Sequence, residues 1–297
     1  MAKPFKTIDQ QIEILRSRGL LVEDSAYDVL LSENYYSVVN GYKEFFIDKE
    51  KSSACSHEMF LQETCFSDVY ELFLFDRALR EYTFHNLIKA ESLIKTVSVY
   101  TFCERFPEPR SYLDMDNYTA RDEYMLGKRR FVEDLPAFVS KLNRKAYTDS
   151  KCKDFIQHYR DKHGDVPLWV LANDLTFGNI SYFFNLQKRS VQNEICRRIV
   201  KLRGGSEQLN PKRMRLTLRA LVDFRNICAH DERLFCAKVG PVRDIGYADM
   251  LESLAVVLPK SDVQNMRSGV LRLINDYSKG RKRISGILDG MGIKTAG

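Results

Sequence analysis

The stretch from Phe66 to Glu104 constrains the fold of this chain more than any other part of the sequence. It contains neither proline nor glycine, and its apolar residues recur at the three- and four-residue spacing of an α-helix, as at Leu72, Phe75 and Leu79. Phe106-Pro107-Glu108-Pro109 ends the pattern, because a residue before proline avoids the helical conformation. The stretch therefore predicts one long helix, or two helices that abut.

Helical patterns also fill the rest of the chain. Thr7-Ile8-Asp9-Gln10 fits a capping box, and Pro167 stands in the first turn of a further helix that carries Trp169, the only tryptophan. No run of alternating apolar and polar residues is long enough to predict a strand, and no internal repeat is present. We therefore expect an all-α fold with Trp169 in its core.

A polar stretch, Lys49 to His57, is the best candidate for a domain boundary. It predicts an N-terminal helical segment at residues 1–55 and a main all-α domain at residues 56–297. The preceding stretch, Asn34 to Phe46, is dense in aromatic residues, and two interpretations of it stay open. Its rings wedge small helices together, or they stack on nucleic-acid bases.

The length and composition indicate a folded protein outside the membrane. A chain of 297 residues with 44% hydrophobic and 29% charged residues can bury a large core. Its longest promising uncharged run, Leu175 to Gln187, is shorter than the roughly 20 apolar residues of a membrane span. Lys3, Lys6 and Asp9 interrupt any signal peptide. We expect a cytoplasmic protein whose seven cysteines, an odd number without paired spacing, are reduced and mostly buried thiols.

Positive charge is concentrated in one region. From Lys188 to Arg219 ten Lys or Arg residues stand against only Glu194 and Glu207, a local balance of +8, so the rest of the chain carries −2 of the net +6. The ten basic residues are Lys188, Arg189, Arg197, Arg198, Lys201, Arg203, Lys212, Arg213, Arg215 and Arg219. They predict an RNA-binding groove, and a solvated helix face is the alternative.

The motif Arg225-Asn226-Ile227-Cys228-Ala229-His230 carries the most specific chemical signal. Apolar residues at helical spacing precede it, which places it on the late turns of an amphipathic helix. On such a helix Asn226 and His230 are an i, i+4 pair that shares a face. Arg225 lies about 140° around the helix from His230, a gap that a second copy of the helix in a dimer can close.

These residues have the chemistry to cleave RNA without a metal ion. Histidine gives and takes protons near neutral pH, and an arginine fork binds a phosphate through two parallel hydrogen bonds. RNA supplies its own nucleophile, the 2′-hydroxyl, so the products are a 2′,3′-cyclic phosphate and a 5′-hydroxyl. We therefore predict three catalytic residues: Arg225 as the phosphate clamp, Asn226 as the orienting group and His230 as the general acid/base.

Other sites have little support in the sequence. Arg80 and His85 repeat the spacing of arginine and histidine in the motif, but the pair lies mid-helix without the asparagine, and we interpret it as structural. The cysteine and histidine spacings lack the fourth ligand of a structural zinc site. Gly204-Gly205 lacks the lysine and the Ser/Thr of a phosphate-binding loop. We predict no metal and no cofactor.

Four sequence blocks carry a resemblance to a known family. They are Lys3-Pro4-Phe5 with the helix at residues 10–15, Asn34-Tyr35-Tyr36 through Tyr42, Pro167-Leu168-Trp169 through Gly178, and Arg225-Asn226 through Leu234. Together they resemble the Abi family of abortive-infection proteins, in its AbiD- and AbiF-like group. The Arg-Asn-x-x-x-His motif is similar to the signature of the HEPN superfamily of helical ribonucleases.

The resemblance implies a HEPN-like helical bundle with an N-terminal helical extension, usually a homodimer, with Arg225 and His230 as catalytic residues. It also implies an antiphage role in an abortive-infection or toxin–antitoxin system and, for the AbiF-like branch, a small noncoding RNA partner. The superfamily includes inactive members that only bind RNA. An endoribonuclease and a silent or dormant RNA-binding protein in complex with a noncoding RNA therefore stay open, and a protein-binding regulator is a third option.

Asp231 and Glu232 follow the motif, where the family more often has a basic or aromatic residue. Two interpretations of these acidic residues stay open. They orient His230, or they repel the phosphate of a substrate.

Overall fold

The chain folds into α-helices, as the sequence predicts. The computed structural model describes residues 4–55 and 57–293, so Lys3, the first residue of the four family blocks, lies outside the described residues. Within the described ranges only isolated β-bridges occur and no strand forms. The protein is therefore all-α.

The α-helices of the described residues are α1 (Ile8–Ser17), α2 (Ala26–Glu33), α3 (Lys49–Ala54), α4 (Phe66–Arg105), α5 (Lys128–Asn143), α6 (Asp154–His163), α7 (Leu168–Leu171), α8 (Phe177–Leu186), α9 (Arg189–Leu202), α10 (Pro211–Ala229), α11 (Tyr247–Val257), α12 (Lys260–Ser278) and α13 (Lys282–Asp289). Short 3₁₀ and π segments lie between them at Tyr36–Asn40, Lys43–Phe46, Ser111–Leu113, Met115–Asn117, Arg121–Glu123, Arg144–Thr148 and Ala172–Asp174. None of these helices is both long enough and apolar enough to span a membrane.

The long apolar pattern forms one helix and not two, because α4 runs without a break from Phe66 to Arg105. Its buried residues include Leu72, Phe75 and Leu87. They lie on several sides of the helix, which is typical of a helix surrounded by other elements. α4 ends two residues before Pro107, as the proline predicts.

Local capping interactions determine the first helices. Thr7 and Gln10 form the predicted capping box at the start of α1, each side chain accepting a hydrogen bond from the backbone N–H of the other. The stretch predicted as a polar connector contains the short helix α3. This helix forms because the Asp48 carboxylate accepts a hydrogen bond from the backbone N–H of Lys51.

The chain forms two compact units, which are described separately. The first comprises residues 4–55, 57–83, 230–237 and 267–293. Its aromatic stretch is largely inside, since Phe46 is fully buried and the Tyr42 ring packs edge-on against Phe73 with 5.6 Å between ring centroids. These rings therefore join elements of this unit, although Tyr36 remains exposed.

The second unit comprises residues 84–229 and 238–266. In it α10 packs against α8, α9 and α11. An aromatic cluster fills part of its core, with Phe102 and Phe183 at 5.2 Å and Phe138 and Phe183 at 6.0 Å between centroids. The helix that carries the motif is thus supported by three neighbouring helices.

The expectation that Trp169 lies in the core is wrong, since the residue is 55% exposed. It belongs to α7, a single turn that buries Leu168, Val170 and Leu171. In a helix of one turn the side chains point in different directions, so when three of the four are buried the fourth, Trp169, points to solvent. The indole packs edge-on against the Tyr159 ring, with 5.5 Å between centroids.

Candidate functional site

α10 carries the motif, and its start follows from the sequence. Pro211 occupies its first position, where the missing N–H has no partner to lose. The Asn210 side chain accepts a hydrogen bond of 2.9 Å from the backbone N–H of Arg213. The face that packs into the second unit is formed by Met214, Leu218, Leu221 and Phe224.

Arg225 is oriented by two neighbours on α4 and still reaches solvent. Its Nε lies 3.3 Å from Oε2 of Glu91, and its guanidinium carbon lies 5.9 Å from the centroid of the Phe84 ring. The Glu91 side chain is nearly buried, and Lys95 lies 3.9 Å from its other oxygen. The Arg225 side chain is 28% exposed, so its charge is held in one place without being sealed off.

Asn226 and His230 are both exposed. α10 ends at Ala229, so His230 lies just beyond the helix and not on its last turn as predicted. His230 is the first residue of the segment 230–237, which belongs to the first unit. None of the three motif residues is buried, and a ligand can reach each of them.

The segment after the motif begins with an ion pair. Asp231 adopts a left-handed backbone conformation, with φ of 56°, and its carboxylate accepts a hydrogen bond of 2.5 Å from Arg80. This pairing offsets the negative charge of Asp231 and anchors the residue next to His230. The ion pair therefore weakens the repulsion that this acid exerts on a substrate phosphate.

Arg80 and Asp76 form a buried ion pair within the first unit, with side chains 4% and 0% exposed. Asp76 accepts hydrogen bonds from Arg80 at 2.8 Å, from the Tyr42 hydroxyl at 2.8 Å and from the backbone N–H groups of Leu234 and Phe235 at 3.0 and 2.8 Å. Burial raises the pKa of the Tyr42 hydroxyl, so it stays a donor. Asp76 therefore ties the residues after the motif to α4, and the interpretation of Arg80 as structural agrees with this arrangement.

Arg233 anchors the same segment through further contacts within the first unit. Its guanidinium donates to the carbonyl of Gly41 at 2.8 Å and to the carboxylate of Glu44. The neighbouring Phe235 packs on Phe45 with 5.0 Å between ring centroids. The backbone that follows His230 is thus fixed by charge and by packing.

Several of the ten basic residues are engaged with protein groups of the second unit. Arg197 and Arg198 hydrogen-bond the carboxylate of Glu194 and hold the pKa of that group at about 2. Arg203 is largely buried and donates to the carbonyl of Ala255 at 3.1 Å. A buried arginine of this kind is a poor surface contact for a polyanion.

The remaining basic residues offer accessible charge. Lys188 and Arg215 are half-buried. The exposed ones are Arg189, Lys201, Lys212, Arg213 and Arg219. The basic region of the sequence is therefore mostly surface, though not all of its charges point to solvent.

No metal centre is apparent in the described part of the chain. There, no group of three or more His, Cys, Asp or Glu residues is placed to hold a metal ion. The seven cysteines are free thiols, but the expectation that most of them are buried is wrong, since only Cys196 is buried. Burial raises the pKa of Cys236, which lies after the motif, to about 11, so its thiol stays protonated at neutral pH.

Comparison with known proteins identifies the family. Residues 28–236 of this protein, which are most of the chain, match the family described as "Abi-like protein". The protein belongs to this Abi-like family. The matched range includes the basic region and the motif, from Lys188 to His230. No curated protein and no solved structure matches the chain.

The roles of three residues in this arrangement cannot be predicted from the sequence: Glu91, Asp76 and Tyr42. The Glu91 and Lys95 spacing is visible as an i, i+4 pair on one helix. Nothing in the sequence, however, places Glu91 beside Arg225, which is 134 positions away. Likewise, Asp76 lies in an apolar stretch, which hints at burial but not at its partners.

Proposed function

We propose that this Abi-like protein acts in abortive infection as a metal-independent endoribonuclease. The observation that carries the proposal is that the motif residues Arg225, Asn226 and His230 are accessible and yet supported by their neighbours. Glu91 orients the arginine, and a buried ion pair anchors the residues after the histidine. Groups that act on a phosphodiester need to be held in position and open to a ligand, which this arrangement provides.

Each motif residue has one role in the proposed reaction. Arg225 binds the nonbridging oxygens of the scissile phosphate and stabilises the charge that builds on them. Asn226 orients the nucleotide by hydrogen bonding. His230 transfers the proton. The 2′-oxygen loses its proton and bonds to phosphorus, the bond from phosphorus to the 5′-oxygen breaks, and that oxygen takes up a proton.

The reaction needs a base for the nucleophile and an acid for the leaving group. One imidazole supplies only one of these at a time. We therefore propose a homodimer in which two motif sets act on one phosphate, one His230 removing the proton and the other donating it. The accessible basic residues between Lys188 and Arg219 bind the flanking phosphates of the RNA.

The Arg225–Glu91 ion pair favours a second candidate function. In the free protein a carboxylate already lies beside the guanidinium, which lowers its net attraction for a phosphate. Such a site suits a dormant or silent protein that binds a small noncoding RNA without cutting it. In this function the same basic residues hold the RNA intact.

One experiment separates the two functions. The purified protein is incubated in EDTA with a single-stranded RNA and, in parallel, with the same strand made with 2′-deoxyribose. For the nuclease we expect fragments with 2′,3′-cyclic phosphate and 5′-hydroxyl ends from the RNA only, identified by mass spectrometry. Bound but intact RNA supports the second function. Products with 5′-phosphate ends, or cleavage of the deoxy strand, rule out attack by the 2′-hydroxyl.

Replacing Glu91 with glutamine tests how the ion pair acts. The variant keeps the shape of the side chain and removes its charge, so the phosphate no longer competes with a carboxylate for Arg225. We expect the Kd for RNA to fall by roughly two- to fivefold, the range of a partly exposed ion pair. Fluorescence anisotropy of a labelled single-stranded RNA measures this change.

The matched control is Glu133→Gln, which removes the same charge from an exposed position on α5. It should leave the Kd unchanged. If Glu91→Gln weakens RNA binding instead, the charge of the carboxylate is needed to hold Arg225 in position, and its competition with the phosphate is the smaller effect.

A further inference from the structure

A cavity of about 300 Å³ opens beside the motif helix within the second unit. Three arginines line it: Arg130 from α5, and Arg215 and Arg219 from α10. Asp223 also lines the cavity. Burial raises the pKa of its carboxyl, a shift that the charge of Arg219 opposes. Counted as ions, the four groups carry a balance of three positive charges against one negative.

A residue with an unpartnered acceptor lines the same cavity. Asn185, which also lines it, is 7% exposed, and its Oδ1 has no hydrogen-bond partner among the described residues. Its Nδ2 donates to the carbonyl of Ser181 at 2.9 Å, which fixes the orientation of the amide. A buried acceptor without a partner costs free energy of folding, and a ligand that donates a hydrogen bond recovers it.

The Nε of Arg215 is likewise buried and has no hydrogen-bond partner in the described part of the chain. The cavity is thus lined by donors suited to a phosphate and by a residue whose acceptor suits an N–H or O–H group. A nucleotide has this combination, with its phosphate next to a ribose hydroxyl and a base.

The cavity also lies in line with the motif. Arg215, Arg219, Val222 and Asn226 follow one another at i, i+4, i+7 and i+11 and therefore share one face of α10. From Arg219 to Asn226 the helix rises by about 10 Å. A single strand that passes Asn226 reaches the cavity with a nearby nucleotide.

We propose that this cavity binds one nucleotide of the RNA strand, with its phosphate at Arg130, Arg215 and Arg219 and a ribose hydroxyl or base N–H at Asn185 Oδ1. The proposal extends the proposed function, since it assigns a second binding position on the same strand, away from the phosphate that is attacked.

The test measures RNA binding by the full chain in a His230→Ala background, so that cleavage does not interfere. Arg130→Gln with Arg219→Gln should raise the Kd for a labelled single-stranded RNA by about tenfold or more. It should also lower the log–log salt slope by about 0.7 for each phosphate that the protein no longer neutralises. The control is Arg129→Gln, which neighbours Arg130 on α5, is exposed and does not line the cavity. It should bind like the parent.

Asn185→Leu separates binding from stability. The substitution removes a buried, unpartnered acceptor, so the unfolding midpoint in urea should stay the same or rise. The Kd for RNA should increase by about three- to tenfold with an unchanged salt slope, because the substitution removes no charge. A purely structural Asn185 gives the opposite result, lower stability with unaltered binding.

Competition by inorganic phosphate and by AMP distinguishes the sources of the phosphate. Displacement of the RNA by AMP at low micromolar concentration assigns the cavity to a free nucleotide and overturns the strand assignment. The proposal also fails if the double arginine variant binds like Arg129→Gln, or if none of the three probes binds. If the parent protein never cleaves RNA but binds it tightly in a way that depends on the cavity, the proposed nuclease activity is refuted. The proposed nucleotide site is then still supported.

Discussion

Substitution of His230 by alanine should lower the rate of RNA cleavage by about 10²- to 10⁴-fold, because it removes the group that transfers the proton in the proposed reaction. His230 is exposed and lies beyond the end of α10, so the substitution removes little packing. The free energy of unfolding should change by no more than about 0.5 kcal/mol, as for most surface substitutions. Single-turnover cleavage with excess protein measures the chemical step.

The chain offers a matched control in His85. This histidine is also exposed and stands at the same spacing from an arginine, Arg80, that separates His230 from Arg225. His85→Ala should cleave RNA at the parental rate. Should His230→Ala also keep the parental rate, the imidazole is not the acid or base, and the assignment of the motif as a nuclease site is wrong.

Substitution of Asp76 by alanine should lower the free energy of unfolding by about 3–5 kcal/mol. The change leaves the guanidinium of Arg80 buried without its main partner, since the Asp76 and Arg80 side chains are 0% and 4% exposed. It also removes the acceptor for the backbone N–H groups of Leu234 and Phe235. Urea unfolding followed by circular dichroism measures the destabilisation.

Asp122→Ala is the control for this prediction. It breaks an ion pair with Lys128 in which both side chains are largely exposed, and such pairs contribute little. Asp76→Asn provides an intermediate case, because the amide keeps the shape and one acceptor oxygen but carries no charge. If Asp76→Ala is as stable as Asp122→Ala, the cluster does not anchor the segment after the motif.

The helical architecture could be predicted because its causes are local. The absence of Pro and Gly in the α4 stretch, the capping box at Thr7 and the proline before α7 each act within a few residues. Where prediction fails, the cause is a neighbour in space or a very short element. The short helix α3 forms in a polar stretch that the sequence suggested only as a domain boundary.

The candidate site also has a part that could be predicted and a part that could not. Arg225, Asn226 and His230 could be selected from the sequence because residue type and spacing alone restrict their chemistry. The residues that surround them in space could not be selected in this way. Glu91 is 134 positions from Arg225, and Asp76 is 158 positions from Leu234, so only packing brings these groups within hydrogen-bond distance.

The sequence by itself determined the fold class, the extent of the long helix α4 and the cap of α1, and it singled out the motif, because periodicity, caps and side-chain chemistry are properties of short segments. Only the tertiary structure decided which groups hold Arg225, how the residues after His230 are anchored and which basic side chains remain free for a ligand. The physical reason is that burial removes the water around a charged group and so strengthens its interactions with neighbouring protein groups. Water solvates a carboxylate such as Asp76 in the unfolded chain, and the group becomes an anchor only where folding removes that water and supplies four donors.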